Sequence, residues 1–193
     1  MRPHISDTMA KCFGALRQLR SIRRCISETV ANTLVLALIH SRLDYCSTLL
    51  YGLPDNSLSK FQHILNACCR VVCNSRSFDH VTPLLQSLEW LPIRNRINFR
   101  LAILIYKCLH GLAPPYLDSY IQLTSSMTSR HPLRSSSSSN LLIPSSRLKT
   151  VGARAFPVAA AQVWNSLPSS LKAISSRSTF KSTLKAEFLR SSF

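Results

Sequence analysis

The stretch FDHVTPLLQSLEWLPIRNRINFRLAILIYKCLHGLAPP, Phe78–Pro115, decides the fold of this chain. An aromatic–proline stop at Trp90–Pro92 is followed by an apolar segment with a basic start. Gly111 and the prolines after it end that segment, because glycine favours the left-handed turn behind a helix and proline cannot continue one. The pattern predicts a long helix from Ile93 to about His110.

Apolar residues recur at intervals of three and four on both sides of this stretch, which predicts further amphipathic helices. The first of them, Ser6–Arg24, has Met9, Cys12, Phe13, Leu16 and Leu19 on one face. The other predicted elements are a helix from Glu28 to about Tyr45 capped by Ser27, a helix from Leu58 to about Cys73 capped by Ser57, a short helix from Asp79 or Thr82, a helix or turn within Tyr116–Leu123, a helix from Pro157 that stops before Pro168, and a helix capped by Ser178.

A change of composition divides the chain into three parts. Residues 124–140 read TSSMTSRHPLRSSSSSN and have no apolar period, which is typical of a solvated linker. We therefore predict a helical body over 1–123, a serine-rich linker over 124–140 and a basic extension over 141–193 with one or two helices. The fold class is mainly α, an array of about five to seven helices. The apolar run Leu141–Ile143 is expected either to pair as an edge strand or to lie in a groove of the body, and we favour the groove.

Positive charge is concentrated at the two ends of the chain. The chain carries 24 Lys and Arg against 8 Asp and Glu, a net charge of +16. Residues 1–24 hold six basic residues and one acidic residue, residues 25–123 hold eight and six, and residues 124–193 hold ten and one. Basic flanks attract polyanions through counterion release and steering. RNA or DNA, bound non-specifically, is therefore the expected partner. An acidic membrane surface is a weaker candidate, and the remaining interpretation is that the charge only keeps the protein soluble.

Three groups of basic residues are candidates for phosphate contact. They lie near the end of the first predicted helix, along the helix from Ile93, and in the basic tail, which has the densest net charge. A planar guanidinium binds two phosphate oxygens at once. The alternative for each group is a solvated helix face. The candidates are Arg17, Arg20, Arg23, Arg24, Arg94, Arg96, Arg100, Lys107, Arg147, Lys149, Arg154, Lys172, Lys181, Lys185 and Arg190.

Cysteine usage and hydropathy indicate an intracellular protein. The seven cysteines are odd in number and mostly have apolar neighbours, which favours reduced thiols. The chain begins with a polar segment, so no signal peptide is predicted. The longest apolar stretch, Thr33–Ile39, is far shorter than the ~20 residues that span a bilayer. We expect a nuclear or cytoplasmic ribonucleoprotein location and no membrane partner.

Cys68, Cys69 and Cys73 suggest a metal site at first sight. Structural zinc needs four ligands in suitable geometry, and the nearest histidines, His63 and His80, are irregularly spaced. Cysteine also packs as a small apolar residue. The sequence therefore favours a packing role, and neither a metal nor another cofactor is expected.

Catalytic motifs are missing from the sequence. Template-directed polymerases hold two Mg²⁺ ions with clustered carboxylates, and this chain has no adjacent acidic pair. Asp44 is the residue whose sequence surroundings are most similar to such a catalytic carboxylate. We interpret it as a helix-end or ion-pair residue, with Arg42 or a neighbouring helix as its partner. No nucleophile elbow, glycine-rich phosphate loop or His-Glu-x-x-His motif occurs. The sequence predicts that the chain is not an enzyme.

The remaining aromatic and histidine candidates receive structural interpretations. Trp90 and Trp164 have the rings to stack on unpaired bases, but their apolar surroundings favour the core. His110 is expected to be a cation at a helix C-terminus. His40 is expected on a helix surface.

Three blocks together carry a family resemblance. The first is SETVANTLVLALIHSRLDYCSTLLYGLP, Ser27–Pro54, and the last is RLKTVGARAFPVAAAQVWNSLP, Arg147–Pro168. The middle block holds Phe78–His80, the Glu-Trp-Leu-Pro run Glu89–Pro92, and His110–Pro114. In this order they resemble the C-terminal, thumb and post-thumb region of non-LTR (LINE-type, jockey-like) retrotransposon reverse transcriptases, and the resemblance covers nearly the whole chain.

The resemblance implies a thumb-like, post-palm helical region that grips primer–template or element RNA during target-primed reverse transcription. It supplies no catalytic residues, because the palm and the endonuclease of such elements lie upstream of this region. The expected function is that of a truncated, non-catalytic fragment, with RNA, DNA or a palm-bearing reverse transcriptase acting in trans as partner. The alternative is a degenerate interaction module that needs the missing palm for packing.

Overall fold

A computed structural model of the protein describes residues 2–126, 139–148 and 150–193. In these ranges the chain is mainly helical, as predicted, and its extended pairing is one antiparallel bridge between Leu123 and Leu141. None of the helices in the described part is long and apolar enough to cross a bilayer. The helices are α1 (Arg2–Ile22), α2 (Glu28–Val35), α3 (Ser41–Asp44), α4 (Asp55–Val72), α5 (Val81–Ser87), α6 (Ile93–Leu109), α7 (Pro115–Asp118), α8 (Phe156–Asn165), α9 (Ser169–Lys172) and α10 (Arg177–Ser192).

The chain packs as two compact units. The first comprises Met1–Arg96 with Leu189–Phe193, and the second comprises Ile97–Phe188. These boundaries follow backbone contacts in the folded chain, whereas the division predicted at 123 and 140 follows composition. Most of the predicted linker, residues 127–138, lies outside the described residues.

Helix α4 forms the centre of the first unit, where it packs against α1, α2 and α5. The apolar positions predicted for it from their spacing are all buried: Leu58, Phe61, Ile64, Leu65, Cys68, Cys69 and Val72. Full burial of a Leu, Ile or Phe side chain contributes roughly 1.5–3 kcal/mol. Helix α1 supplies the facing residues Cys12, Leu16 and Leu19, also as predicted, whereas Phe13 is 42% exposed.

Three predicted helix starts have different outcomes. Ser27 caps α2 as predicted, since its hydroxyl accepts from the amide of Val30 at 3.3 Å. Ser57 is not a cap: α4 begins at Asp55, and the Ser57 amide already donates to the carbonyl of Pro54. Ser178 is not a cap either, because α10 begins at Arg177 and places Ser178 in its first turn.

The prediction that His40 lies on a helix surface is wrong. Its ring is buried, and it meets the Trp90 ring edge-on with 4.2 Å between the centroids. A turn of π-helix over Leu36–His40 separates α2 from α3. Such a turn inserts an extra residue and shifts the buried face. As a result His40 points inward, while Leu38 is 39% exposed.

An aromatic cluster anchors the second unit. The rings of Tyr106 and Phe180 stack at 4.3 Å between centroids, Trp164 lies 6.1 Å from Phe180, and His110 stacks on Tyr106 at 3.9 Å. The Tyr106 hydroxyl donates to the carbonyl of Ser175. Trp164 is therefore a core residue, as predicted, and its ring is not available to stack on a base.

Asn165, beside this cluster, holds the short apolar run at Leu141. Its side-chain amide accepts from the Leu141 amide at 2.8 Å and donates to the Leu141 carbonyl at 2.9 Å. Leu142 donates to the carbonyl of Gln122 at 2.8 Å. Leu141 thus pairs as an edge segment, which was the less favoured of its two interpretations, while its side chain is buried.

Asp44 ends α3 and accepts two hydrogen bonds from the guanidinium of Arg96. The Nε–Oδ1 distance is 2.5 Å and the Nη2–Oδ2 distance is 2.7 Å, and both side chains are less than a fifth exposed. This confirms the ion-pair interpretation of Asp44 with a partner from a neighbouring helix. A second pair, Arg94 with Asp55, is largely exposed.

Removing the acid from each pair separates a buried from an exposed interaction. We expect Asp44→Asn to lower the free energy of unfolding by about 3 kcal/mol, because it leaves the Arg96 charge buried without its counter-charge. The matched control Asp55→Asn is expected to cost less than about 1 kcal/mol, since its partner is solvated. Urea unfolding at neutral pH measures both, and equal losses would contradict the account.

Buried thiols make the fold sensitive to alkali. Burial raises the pKa of Cys68 and of Cys69 to about 12 and that of Cys108 to about 11, from an ordinary value of 9.0. The folded chain therefore keeps protons that the unfolded chain has lost above pH 9, and stability falls as pH rises from 9 towards 12. We expect the urea midpoint to decrease between pH 8.5 and 10.5.

A cysteine variant isolates this contribution. Replacing Cys68 and Cys69 together by Ala is expected to flatten the decrease, because two of the raised pKa values are removed. The control Cys25→Ser changes an exposed thiol and is expected to leave the pH profile unaltered. Identical profiles for all three proteins would show that other groups govern the alkaline transition.

Candidate nucleic-acid interface

The first unit contains an open cleft of about 430 Å³ between the end of α1 and the end of α4. Its lining holds four arginines and no acidic residue. Three come from the first predicted phosphate group, Arg20, Arg23 and Arg24, and the fourth is Arg70. The complete lining is Arg20, Arg23, Arg24, Ala67, Arg70, Val71, Asn74, Ser75 and Ser77.

Arg23 builds one wall of the cleft by binding backbone carbonyls. Its Nε donates to Val71 at 2.7 Å, its Nη2 to Val72 at 2.8 Å and its Nη1 to Ile26 at 2.8 Å. The last carbonyls of a helix lack partners within the helix, and a cation near them is favourable. Arg23 therefore caps α4, and each of its three guanidinium nitrogens donates to a backbone carbonyl.

A tight turn behind α4 builds the opposite wall. Asn74 has a positive φ of 50°, a conformation that asparagine tolerates better than most residues. The Asn74 amide donates to Val71 at 3.4 Å, and the Ser75 amide donates to the Arg70 carbonyl at 3.0 Å. This pair of bonds is the Schellman arrangement of a helix C-terminus. It turns Ser75 and Ser77 towards the cleft.

Two polar atoms at this wall are buried without a protein partner. The Ser75 hydroxyl and the Arg70 Nε have no solvent exposure and no hydrogen bond within the described part of the chain. Arg70 uses only its Nη2, which donates to the Asp79 carbonyl at 3.2 Å. Atoms without solvent exposure cannot be reached from an open cleft, so both lie behind its surface and the exposed donors of the lining come from its arginines.

Arg17, Arg20 and Arg24 form an exposed basic surface next to the cleft. Arg17 and Arg20 are three residues apart on α1, which places them on adjacent positions of one face. Arg24 follows in the short 3₁₀ turn Arg23–Cys25. None of these three makes an ion pair or hydrogen bond to any residue that the structure describes. Their positive charge is therefore not neutralised locally.

The second predicted group, on α6, divides between residues bound to carboxylates and residues that are exposed or half-buried. Arg94 and Arg96 are bound to carboxylates, so we leave both out of the candidate surface. Arg100 is exposed and Lys107 is half-buried. The spacing along the helix was predicted correctly, but the acids that neutralise its first turn come from distant positions in the sequence.

The third predicted group, in the basic tail, is likewise mixed. Lys172 donates to the Asn140 side chain at 2.9 Å and to the Asn165 carbonyl at 3.2 Å, and burial lowers its pKa, so it acts inside the second unit. The remaining described members are exposed or half-buried, and Lys149 lies outside the described residues. Those members are Arg147, Arg154, Lys181, Lys185 and Arg190.

Sequence reasoning missed the α4 side of the cleft. Neither Arg70 nor Ser75 was among the predicted candidates. The available signal was Asn74, because an asparagine directly after an amphipathic helix marks a left-handed cap. That signal predicts a turn but does not reveal which helix end lies opposite.

Metal binding receives no support from the cysteines. Cys68 and Cys69 are buried in the core of the first unit, which confirms their packing role, and Cys73 is half-buried. Nowhere in the described ranges do three or more His, Cys, Asp or Glu side chains gather as a metal site requires.

Comparison with known proteins adds no relative. No protein-family model, curated protein or solved structure matches the chain. The resemblance to LINE-type reverse transcriptases therefore remains a prediction from sequence motifs, and the candidate interface depends on its own geometry.

Proposed function

We propose that this chain is a non-catalytic helical fragment that binds RNA or DNA through the phosphate backbone. The observation that carries the proposal is the exposed basic surface of Arg17, Arg20 and Arg24 beside a cleft with no acid in its lining. The motifs resembling the thumb and post-thumb region of LINE-type reverse transcriptases support the same function, since such a region grips a nucleic acid.

The charge arrangement favours a polyanion over a single small ligand. A net charge of +16 raises the local concentration of anions around the whole chain and accelerates their encounter with it. The exposed arginines then replace condensed counterions along the backbone, whose release provides most of the free energy of non-specific binding. Arginines on α1 contact phosphates without reading bases, so we expect little sequence preference.

Salt dependence tests this function directly. If about four phosphates are contacted, a plot of log K against log salt for a single-stranded RNA has a slope of roughly −3. Fluorescence anisotropy with a labelled 15-nucleotide RNA, between 50 and 300 mM KCl, measures the slope on the full chain. The double variant Arg17→Gln, Arg24→Gln is expected to reduce its magnitude by roughly 1.4.

Affinity without salt dependence, or a slope unchanged in the double variant, would contradict the proposal. The control Lys60→Gln removes an exposed charge of α4 that lies outside the cleft lining. We expect this variant to keep the parent slope to within about half a unit.

A second candidate function, a module that packs against another protein, is favoured by one observation. Apolar side chains of the region from α2 to the turn after α3 are exposed, namely Val30, Leu36, Leu38, Tyr45 and Leu49. Exposed apolar patches of this kind are typical of interaction surfaces. Sedimentation velocity on the same samples separates the two functions: a monomer that binds RNA supports the first, and RNA-independent self-association without binding supports the second.

A further inference from the structure

We propose that Phe13 is a stacking platform for an unpaired base, so that the exposed basic surface of α1 binds single-stranded nucleic acid in preference to duplex. This inference rests on the proposed function and deepens it, because it names the structural class of nucleic acid that the same surface takes. The observation behind it is an aromatic side chain left exposed on the helix face that also carries Arg17 and Arg20.

The position of Phe13 on α1 places its ring beside the arginines. Arg17 and Arg20 follow Phe13 by four and seven residues, a spacing that keeps all three on one face of a helix. With a rise of ~1.5 Å per residue, Arg17 lies about 6 Å and Arg20 about 10 Å further along the helix axis. A short strand that crosses this face therefore reaches the ring and both guanidinium groups.

Packing within the protein leaves much of the Phe13 ring uncovered. The sequence places Phe13 on the same stripe as Cys12 and Leu16, yet those two are buried while Phe13 is 42% exposed. In the part of the chain that the structure describes, neither an aromatic ring nor a guanidinium lies against it. Its surface neighbours Ala10 and Gly14 are exposed and too small to cover it. The ring is therefore open to a partner from solution.

Other exposed aromatic residues have different surroundings. The ring of Phe78 lies beneath the guanidinium of Arg76, which is 5.7 Å from its centroid. Tyr45 lines a cleft of mixed charge that also holds Asp7. The two tryptophans, which were the stacking candidates of the sequence, are both buried. Phe13 instead shares its helix face with arginines whose charge is not neutralised locally, and this combination of ring and positive charge is typical of surfaces that bind single strands.

Stacking on a side chain requires a base with a free face. In a duplex every base is paired and stacked within the helix, whereas the bases of a single strand splay out and lie on aromatic rings. Phosphate contact alone does not favour the single strand, because a duplex has the higher charge density and the steeper salt slope. A preference for single strands therefore separates stacking on Phe13 from contact with the arginines alone.

Three nucleic acids test this preference with the full chain at 150 mM KCl. They are the labelled 15-nucleotide RNA, its duplex of equal length, and the same strand with abasic spacers in its central positions. We expect the intact single strand to bind about tenfold more tightly than the other two, measured by fluorescence anisotropy. Backbone contact alone predicts a duplex bound at least as tightly and an abasic strand bound equally well.

Phe13→Leu removes the ring but keeps an apolar side chain that favours the helix. We expect it to weaken binding of the intact strand about tenfold, while affinity for the abasic strand and the salt slope stay unchanged, because the phosphates are still contacted. Arg17→Gln is expected to do the opposite: it weakens both strands alike and lowers the slope by roughly 0.7. The matched control Tyr116→Leu changes an exposed ring on α7, which also contains Asp118, and is expected to alter affinity less than about twofold.

A second variant and two further measurements complete the test. Phe13→Trp offers a larger ring and is expected to tighten binding of the intact strand about twofold, and thermal unfolding by circular dichroism verifies that each variant folds. Binding to phosphatidylserine vesicles that is lost in Phe13→Leu and not competed by RNA would assign the ring to a membrane surface. Self-association in sedimentation velocity that Phe13→Leu abolishes would assign it to a second copy of the chain. Either result would overturn the proposal.

The outcomes separate stacking from the general function. Absence of RNA binding by the parent chain would overturn both. RNA binding with the expected salt slope, a duplex bound as tightly as the single strand, and no effect of Phe13→Leu would overturn stacking alone and leave the exposed basic surface as the site of phosphate contact.

Discussion

The three hydrogen bonds from Arg23 to the carbonyls of Ile26, Val71 and Val72 are the interaction on which the candidate site depends. They join the short turn after α1 to the last turn of α4. Carbonyls at a helix end need partners, and a guanidinium supplies several donors in one plane. Because Arg23 is fixed in this way, the neighbouring Arg20 and Arg24 are held beside the same helix end.

One basic group differs from the others in its counter-charges. Three arginines of α1 and its following turn have no counter-charge in the described part of the chain, whereas the first turn of α6 meets Asp44 and Asp55. In the tail, the Lys172 ammonium donates to the Asn140 side chain of its own unit. Net charge alone therefore overstates the number of side chains that face a partner.

Helix positions followed from the sequence because apolar spacing is a local property. All the apolar positions predicted for α4 are buried, and the bounds of α6 were predicted to within one residue. The inward turn of His40 was not predictable, since a π-helical turn depends on what packs against the helix. Ser57 failed as a cap because α4 begins two residues earlier, at Asp55.

The candidate site was predictable only in part for a related reason. Arg20 and Arg24 are visible as a basic run, but the cleft needs Arg70 and Ser75, some fifty residues further along the chain. Nothing in a single sequence indicates which helix ends meet in space. The Leu141 segment shows the same dependence, because its partner, the Asn165 amide, lies 24 residues away.

Amide hydrogen exchange of the full chain with and without a short RNA tests the central claim most directly. A nucleic acid bound to the basic surface slows local opening of the turns that line the cleft beside it. The account predicts RNA-dependent protection concentrated in residues 20–26 and 70–77, and loss of that protection in the double variant Arg17→Gln, Arg24→Gln. Protection confined to residues 177–192, with none at the two turns, would contradict it.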